Sequence, residues 1–156
     1  MARFHRAMSF LKRKPNSPRY ELSGPWTSFW ELDQHNGVPT SGGVYFLLAN
    51  LRTRFRYPVG SSSVYYIGKA DNIRRRLLNH LSGARDCEEA WRKRHDDRTR
   101  YYPKYQYAAA YADSYAWIPA WQGMTPRSLE SWVIGDFIAT HHAPPVGNQK
   151  IPWKWV

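Results

Sequence analysis

Apolar positions in this chain fall into two kinds of pattern. Val44, Tyr45, Phe46, Leu47 and Leu48 form one short β-branched and aromatic run, and Val64, Tyr65, Tyr66 and Ile67 form a second that ends at Gly68. Runs of this length and type are strand-like. The loop between them holds Pro58, Gly60 and three serines, so an antiparallel pair is expected. From Asp71 the spacing changes. Ile73, Leu77, Leu78 and Leu81 recur at helical intervals, with Asp71 or Asn72 available as a cap, and the helix is expected to end near Leu81 and Gly83.

Further along, Arg85 to Lys104 carries seven bases and five acids. Glu88 to Arg92 and Glu89 to Lys93 are acid-before-base pairs four residues apart, which predict a second, solvated helix. Tyr105 to Tyr111 alternates large and small residues and reads as a third strand; Asp113 and Ser114 turn the chain. Tyr115 to Trp121 is a further strand or a loop, and Pro119 restricts any ladder there to an edge. Thr125 as N-cap and Pro126 in the first turn then start a helix through Leu129, Trp132, Val133, Phe137 and Ile138 to His141, stopped by Pro144 and Pro145. Val146, Gly147 and Asn148 begin a closing segment. Residues 21–42, with Pro25, Trp26, Phe29, Trp30, Gly37 and Pro39, are expected to fold onto the core. Residues 1–20 are basic, punctuated by Pro15 and Pro18, and read as a flexible or partly ordered arm. The expected fold is α+β: a small, mainly antiparallel, three-stranded central sheet flanked by helices. It forms a single domain over 21–156, with a charged insertion at about 82–104.

Composition adds a partner and a compartment. Lys and Arg total 23 against 12 acids, a net charge of +11, so the field of the protein attracts polyanions, nucleic acid first. Within Gly43 to His80, Arg52, Arg54, Arg56, Lys69, Arg74, Arg75 and Arg76 face one acid, Asp71. The lone Cys87 cannot form an internal disulfide, which fits a reducing, cytoplasmic setting. No membrane span is expected, and the apolar stretch Met8 to Leu11 is too short for a signal-peptide core. His141 and His142 are adjacent and point apart on a helix, and no His/Cys cluster has zinc spacing.

Candidate chemistry converges on the same stretch. Tyr45 and Tyr66 lie on neighbouring strands ahead of a glycine turn carrying Lys69, Arg76 and His80 lie one helical turn apart, and Glu130 sits in the first turn of a later helix. A base, a cationic clamp and a carboxylate able to hold a hard metal ion are what phosphodiester hydrolysis requires. Taken singly, each residue has a plainer role: core tyrosines, a solvated arginine, a histidine at a helix end, a glutamate complementing a helix dipole.

The order Gly43, Val44, Tyr45, then Tyr66, Ile67, Gly68, Lys69, then Asn72, Ile73, Arg76, Leu77 and His80 resembles the two-part signature of the GIY-YIG nucleases, with Val44 in place of the isoleucine. Glu130 and Asn148 stand where that family has a carboxylate and an asparagine, and the resemblance spans roughly residues 42 to 150. It implies a metal-dependent DNA endonuclease using one Mg2+ or Mn2+ ion. In that scheme Glu130 ligates the metal, Tyr45 activates water with help from His80, and Arg76 clamps the phosphate. Tyr66 and Lys69 orient water or neutralise charge, Asn148 supports the scaffold, and Gly43 and Gly68 belong to the motif. Arg52, Arg54, Arg56, Lys69, Arg74 and Arg75 are the candidate nucleic-acid contacts. The loops at Asn50 to Ser63 and Ser82 to Lys104 are longer than in compact members and are candidates for setting the substrate. Restriction, mobile-element and repair roles stay open, as do a homodimer and a targeting partner. Single-strand use would recruit Trp153 and Trp155 beside Lys150 and Lys154. A non-catalytic nucleic-acid binding module on the same fold is the alternative.

Overall fold

A computed structural model of the protein describes residues 6–12, 20–50, 52–93 and 102–148. Four strands make one antiparallel sheet in the order β1-β6-β2-β5: β1 (Ser23–Thr27), β2 (Gly43–Ala49), β5 (Val64–Ala70) and β6 (Ala112–Pro119). Two-residue strands β3 (Phe55–Arg56) and β4 (Ser61–Ser62) form a small hairpin within the β2–β5 connection. Helices α1 (Ile73–Arg92), α2 (Pro103–Tyr111) and α3 (Pro126–His141) flank the sheet. Among the described residues no helix is long and apolar enough to cross a membrane.

Strand alternation decides which layer each residue serves. Tyr45 and Leu47 of β2 join Tyr115 and Trp117 of β6 under Ile73, Leu77, Leu81 and Ala84 of α1. Val44, Phe46 and Leu48 join Ala116 and Ile118 under Leu129, Val133 and Phe137 of α3. With both faces covered, all of β2 is buried, which is why it reads as an unbroken apolar run.

The sheet has four strands, one more than the three expected, because the aromatic lead-in supplies β1 as an edge beside β6. The segment Tyr105 to Tyr111 is helical, not a strand: Pro103 occupies its first turn and the alanines at 108–110 favour helix over sheet. Its alternation of large and small residues also satisfies helical spacing, with Tyr107 and Tyr111 on one face against Phe55. The strand instead begins at Ala112, so Asp113 and Ser114 lie within it. Pro119 does not make that strand an edge: as its last residue, opposite Gly43, it costs β6 no interior ladder bond, and β6 lies between β1 and β2. α1 continues past Gly83 to Arg92 because Leu81, Ala84 and Cys87 extend its buried stripe. The Arg92–Glu88 and Lys93–Glu89 pairs, at 3.0 and 2.6 Å, therefore brace the end of α1 instead of a separate helix. Within the basic arm, residues 6–12 are packed: Ala7, Met8 and Phe10 are buried, and the Lys12 N–H donates to Asp136 Oδ2 at 2.9 Å.

Two boundaries follow their caps closely. Asn72 accepts from the Arg75 N–H and starts α1, and Thr125 accepts from the Ser128 N–H and starts α3. β5 is the sheet's other edge, and side chains take the place of ladder partners along it: at Val64 the Ser62 and Tyr57 hydroxyls, at Ile67 a later residue. Asn148, in the 3-10 turn Val146–Asn148, accepts from the Ile67 N–H at 2.9 Å and donates to the Ile67 carbonyl at 2.7 Å. One side chain thus replaces a ladder pair at mid-strand.

Candidate active site

The β2–β5 register sets Tyr45 opposite Gly68. The Tyr45 ring lies directly over that glycine, and a Cβ at 68 would run into it, so the small residue is required by close approach. Gly43, opposite Ala70 at the start of β2, is held as tightly against the Ile118 backbone and has a packing role. Because α1 begins directly after β5, its first two turns cross the β2–β5 pair and bring Arg76 and His80 over the tyrosines. Tyr45 Oη and His80 Nε2 are hydrogen-bonded at 2.7 Å. Ring centroids are 5.2 Å apart for Tyr45–His80, 5.0 Å for Tyr66–His80 and 5.9 Å for Tyr45–Tyr66, so the three rings form one cluster. Tyr45 (1 % exposed) and His80 (0 %) make its floor. Half-buried Tyr66 and exposed Arg76 form its rim.

The electrostatics of this floor follow from burial. His80 is pushed down to about 3, first by burial and then by the charges of Lys104 and Arg76, so its imidazole is neutral at ordinary pH. Tyr45 is held well above the usual tyrosine value by burial, with the neighbouring Tyr66 adding and Arg76 opposing. It therefore keeps its proton and has one to give to an acceptor at Nε2. Tyr66 is also raised, chiefly by burial, while Tyr45 and Arg76 pull the other way. The buried His80 Nδ1 has no hydrogen-bond partner among the described residues.

Glu130, in the first turns of α3, reaches the same region from the opposite layer. Partial burial raises its carboxyl above the usual range, opposed by the Lys69 charge and by the Lys69 backbone N–H, which donates to the carboxylate. The Tyr66 hydroxyl also feels its charge. Thus Tyr45, Tyr66, Lys69, Arg76, His80 and Glu130 gather about the end of β5, and Asn148 holds that strand one residue before Gly68.

Two further side chains enter from α2, and the strand reading of 105–111 hid them. The Tyr105 ring lies 5.5 Å from His80, and Lys104 is close enough to lower the basicity of His80. Their signal in the sequence was Gly83: a side chain there would collide with the Tyr105 ring, so a glycine inside α1 marks where a second helix presses in.

Other basic candidates lie apart from the cluster. Arg54 and Arg56 sit on the β3–β4 hairpin at the far end of the β2–β5 pair, and the Arg54 guanidinium donates to Ser61 Oγ and Ser61 O at 2.9 and 2.8 Å. Arg52 precedes that hairpin in a turn, its N–H bonded to Asn50. Arg74 donates to the His35 carbonyl at 2.8 Å, while Arg75 is exposed on the first turn of α1. Lys150, Trp153, Lys154 and Trp155 lie outside the described residues.

Among the described residues, no group of three or more His, Cys, Asp and Glu side chains could cage a metal ion. The donor present, the partly desolvated Glu130 carboxylate beside Lys69, fits a hard divalent ion that draws its remaining ligands from water and substrate oxygens. No protein-family model, curated protein or solved structure matches the chain.

Proposed function

We propose that this chain is a GIY-YIG-type DNA endonuclease that hydrolyses phosphodiester bonds with the help of one divalent metal ion, Mg2+ or Mn2+. The 2.7 Å hydrogen bond between the Tyr45 hydroxyl and neutral His80 carries the reading, because it supplies a route for the proton of an attacking water. Buried Tyr45 meets water only at the rim, so the Tyr66 hydroxyl orients the nucleophile. Water oxygen bonds to phosphorus and one ester P–O bond breaks. The water proton passes to Tyr45 Oη as the Tyr45 proton moves to His80 Nε2, and the departing oxygen is protonated by solvent. Arg76 binds the non-bridging oxygens through parallel hydrogen bonds and neutralises the charge that develops there. Lys69 adds positive charge, and Glu130 is the residue that would hold the metal, which supplies Lewis-acid polarisation of the phosphoryl group.

His80 is a weak base in the free protein, chiefly through burial, and a bound phosphodiester relieves only the two lesser causes, the charges of Lys104 and Arg76. Tyr45→Phe keeps the ring over Gly68 and removes the proton path. Cleavage of a DNA duplex with Mg2+ should fall by about 10²-fold or more, and stability should fall by about 1–3 kcal/mol because buried His80 Nε2 loses its partner. Cleavage at the wild-type rate by folded Tyr45→Phe protein would remove Tyr45 from the mechanism.

A further inference from the structure

Lys104 occupies a position that helix stability does not explain. It lies in the first turn of α2, directly after Pro103, where the helix dipole disfavours a cation. Its ammonium is half-buried against two rings, 5.1 Å from the Tyr105 centroid and 5.6 Å from that of Tyr102. The Tyr105 ring is in turn fixed in the notch at Gly83 and against His80. No carboxylate pairs with Lys104 among the described residues. The charge it does sense is a like one, Arg76, which adds to burial in lowering its pKa. Two cations from different helices thus act on one neutral histidine, Lys104 reaching it past the Tyr105 ring, and the acid of the cluster, Glu130, faces Lys69 instead. Neighbouring cations without a counter-charge are stabilised by a polyanion that brings a negative group to each.

We propose that Lys104 is a second phosphate-binding side chain of the site, seating a phosphate of the DNA strand next to the one that Arg76 clamps. The aromatic faces of Tyr102 and Tyr105 hold the ammonium by cation–π attraction, and the ammonium, with three donors, can also bond a phosphate oxygen. The proposal rests on the site being one for nucleic-acid phosphodiesters, though not on cleavage itself. It also assigns a role to the last residue of the charged 82–104 stretch, Lys104, at the start of α2.

Salt dependence of binding tests this, because each phosphate contact adds a fixed increment to the slope of log affinity against log salt. Binding of a fluorescein-labelled duplex, and of one of its strands alone, is measured by anisotropy over a range of salt with EDTA present. The proteins are wild type, Lys104→Met, Lys104→Gln and Lys104→Arg, with Lys93→Met as the control at the far end of α1. Lys104→Met and Lys104→Gln should lower the slope by about 0.9 on the duplex, or about 0.7 if the strand alone is the ligand. Lys104→Arg should keep it, Lys93→Met should leave it unchanged, and circular dichroism should show all five folded. An unchanged slope in both neutral variants, an equal loss in Lys93→Met, or no salt-dependent binding by wild type would overturn the proposal. Absence of cleavage by wild type with Mg2+ or Mn2+, while the slopes behave as stated, would defeat the nuclease reading and leave Lys104 as a phosphate contact.

Discussion

The two faces of the central sheet are equally buried and chemically unlike. Toward α3, Val44, Phe46, Leu48, Ile67 and Ile118 meet Leu129, Val133 and Phe137, with Phe10 packed edge-on against Phe137 at 5.1 Å. The buried polar side chains of α3 are both partnered: Asp136 receives the Lys12 N–H, and His141 Nδ1 donates to the Val59 carbonyl at 2.9 Å. Toward α1 and α2, the same strands present Tyr45, Tyr65, Tyr66, Tyr115 and Trp117 to His80, Tyr105 and Tyr107. Here the Tyr65 hydroxyl and His80 Nδ1 are buried without hydrogen-bond partners among the described residues. Unsatisfied buried polar atoms cost stability. One face is therefore arranged for cohesion, and the other sacrifices some cohesion to hold hydroxyls, an imidazole and cations together, as functional sites do.

The sharpest way to break this contrast is to empty the cohesive face. Phe137→Ala should cost about 3–5 kcal/mol in denaturant unfolding, and the fraction that remains folded should still cleave. A rim change should do the reverse: Arg76→Ala should lower cleavage by about 10²–10³-fold, while unfolding shifts by no more than about 0.5 kcal/mol, as for an exposed side chain. A large stability loss in Arg76→Ala would mean that the site face is structural after all.

The floor of the site has its own signature in pH. His80 stays neutral in the fold down to about 3, whereas in the unfolded chain it takes a proton near 6.5. Between those values the unfolded state binds more protons, so stability is full above about 6.5 and declines as pH falls toward 3, by up to about 1.4 kcal/mol per pH unit. His80→Gln should flatten that decline, as measured by urea midpoints across the window. The smallest expected effect is at the sheet edge. Asn148→Ala should cost about 1–2 kcal/mol, because the Ile67 N–H and carbonyl both lose their partner. A loss of cleavage beyond that explained by unfolding would place Asn148 nearer the chemistry than a clamp on β5.

Much of this was legible in the chain because local chemistry and tertiary role agreed. The β2 and β5 runs, the Asn72 cap and the Thr125-Pro126 helix start each carry a local signal, and the structure uses each as the signal indicates. The spacing of Arg76 and His80 showed that these two share a helix face, since the helix period fixes that, whereas the register that sets Tyr45 opposite Gly68 came from the structure. What periodicity could not show was α2. Tyr105, Tyr107 and Tyr111 fit either period, and only Pro103 and the alanine run pointed to helix. With α2 mistaken for a strand, the two side chains it brings beside His80 stayed out of view. Likewise Gly83 suggested a helix end, because a sequence does not reveal that a neighbouring ring needs the space. Clustering of arginines along the chain was also a poor guide to clustering in space, as Arg54 and Arg76 lie toward opposite ends of the β2–β5 pair.

The account stands or falls on metal-dependent hydrolysis that needs Glu130. Purified wild type and Glu130→Gln are incubated with plasmid, linear duplex, single-stranded DNA and RNA, each with Mg2+, Mn2+ or EDTA. Products from wild type on DNA, only with metal and not from folded Glu130→Gln protein, are the expected result. Equal products from both proteins, or binding of DNA by wild type with no product under any condition, would contradict it.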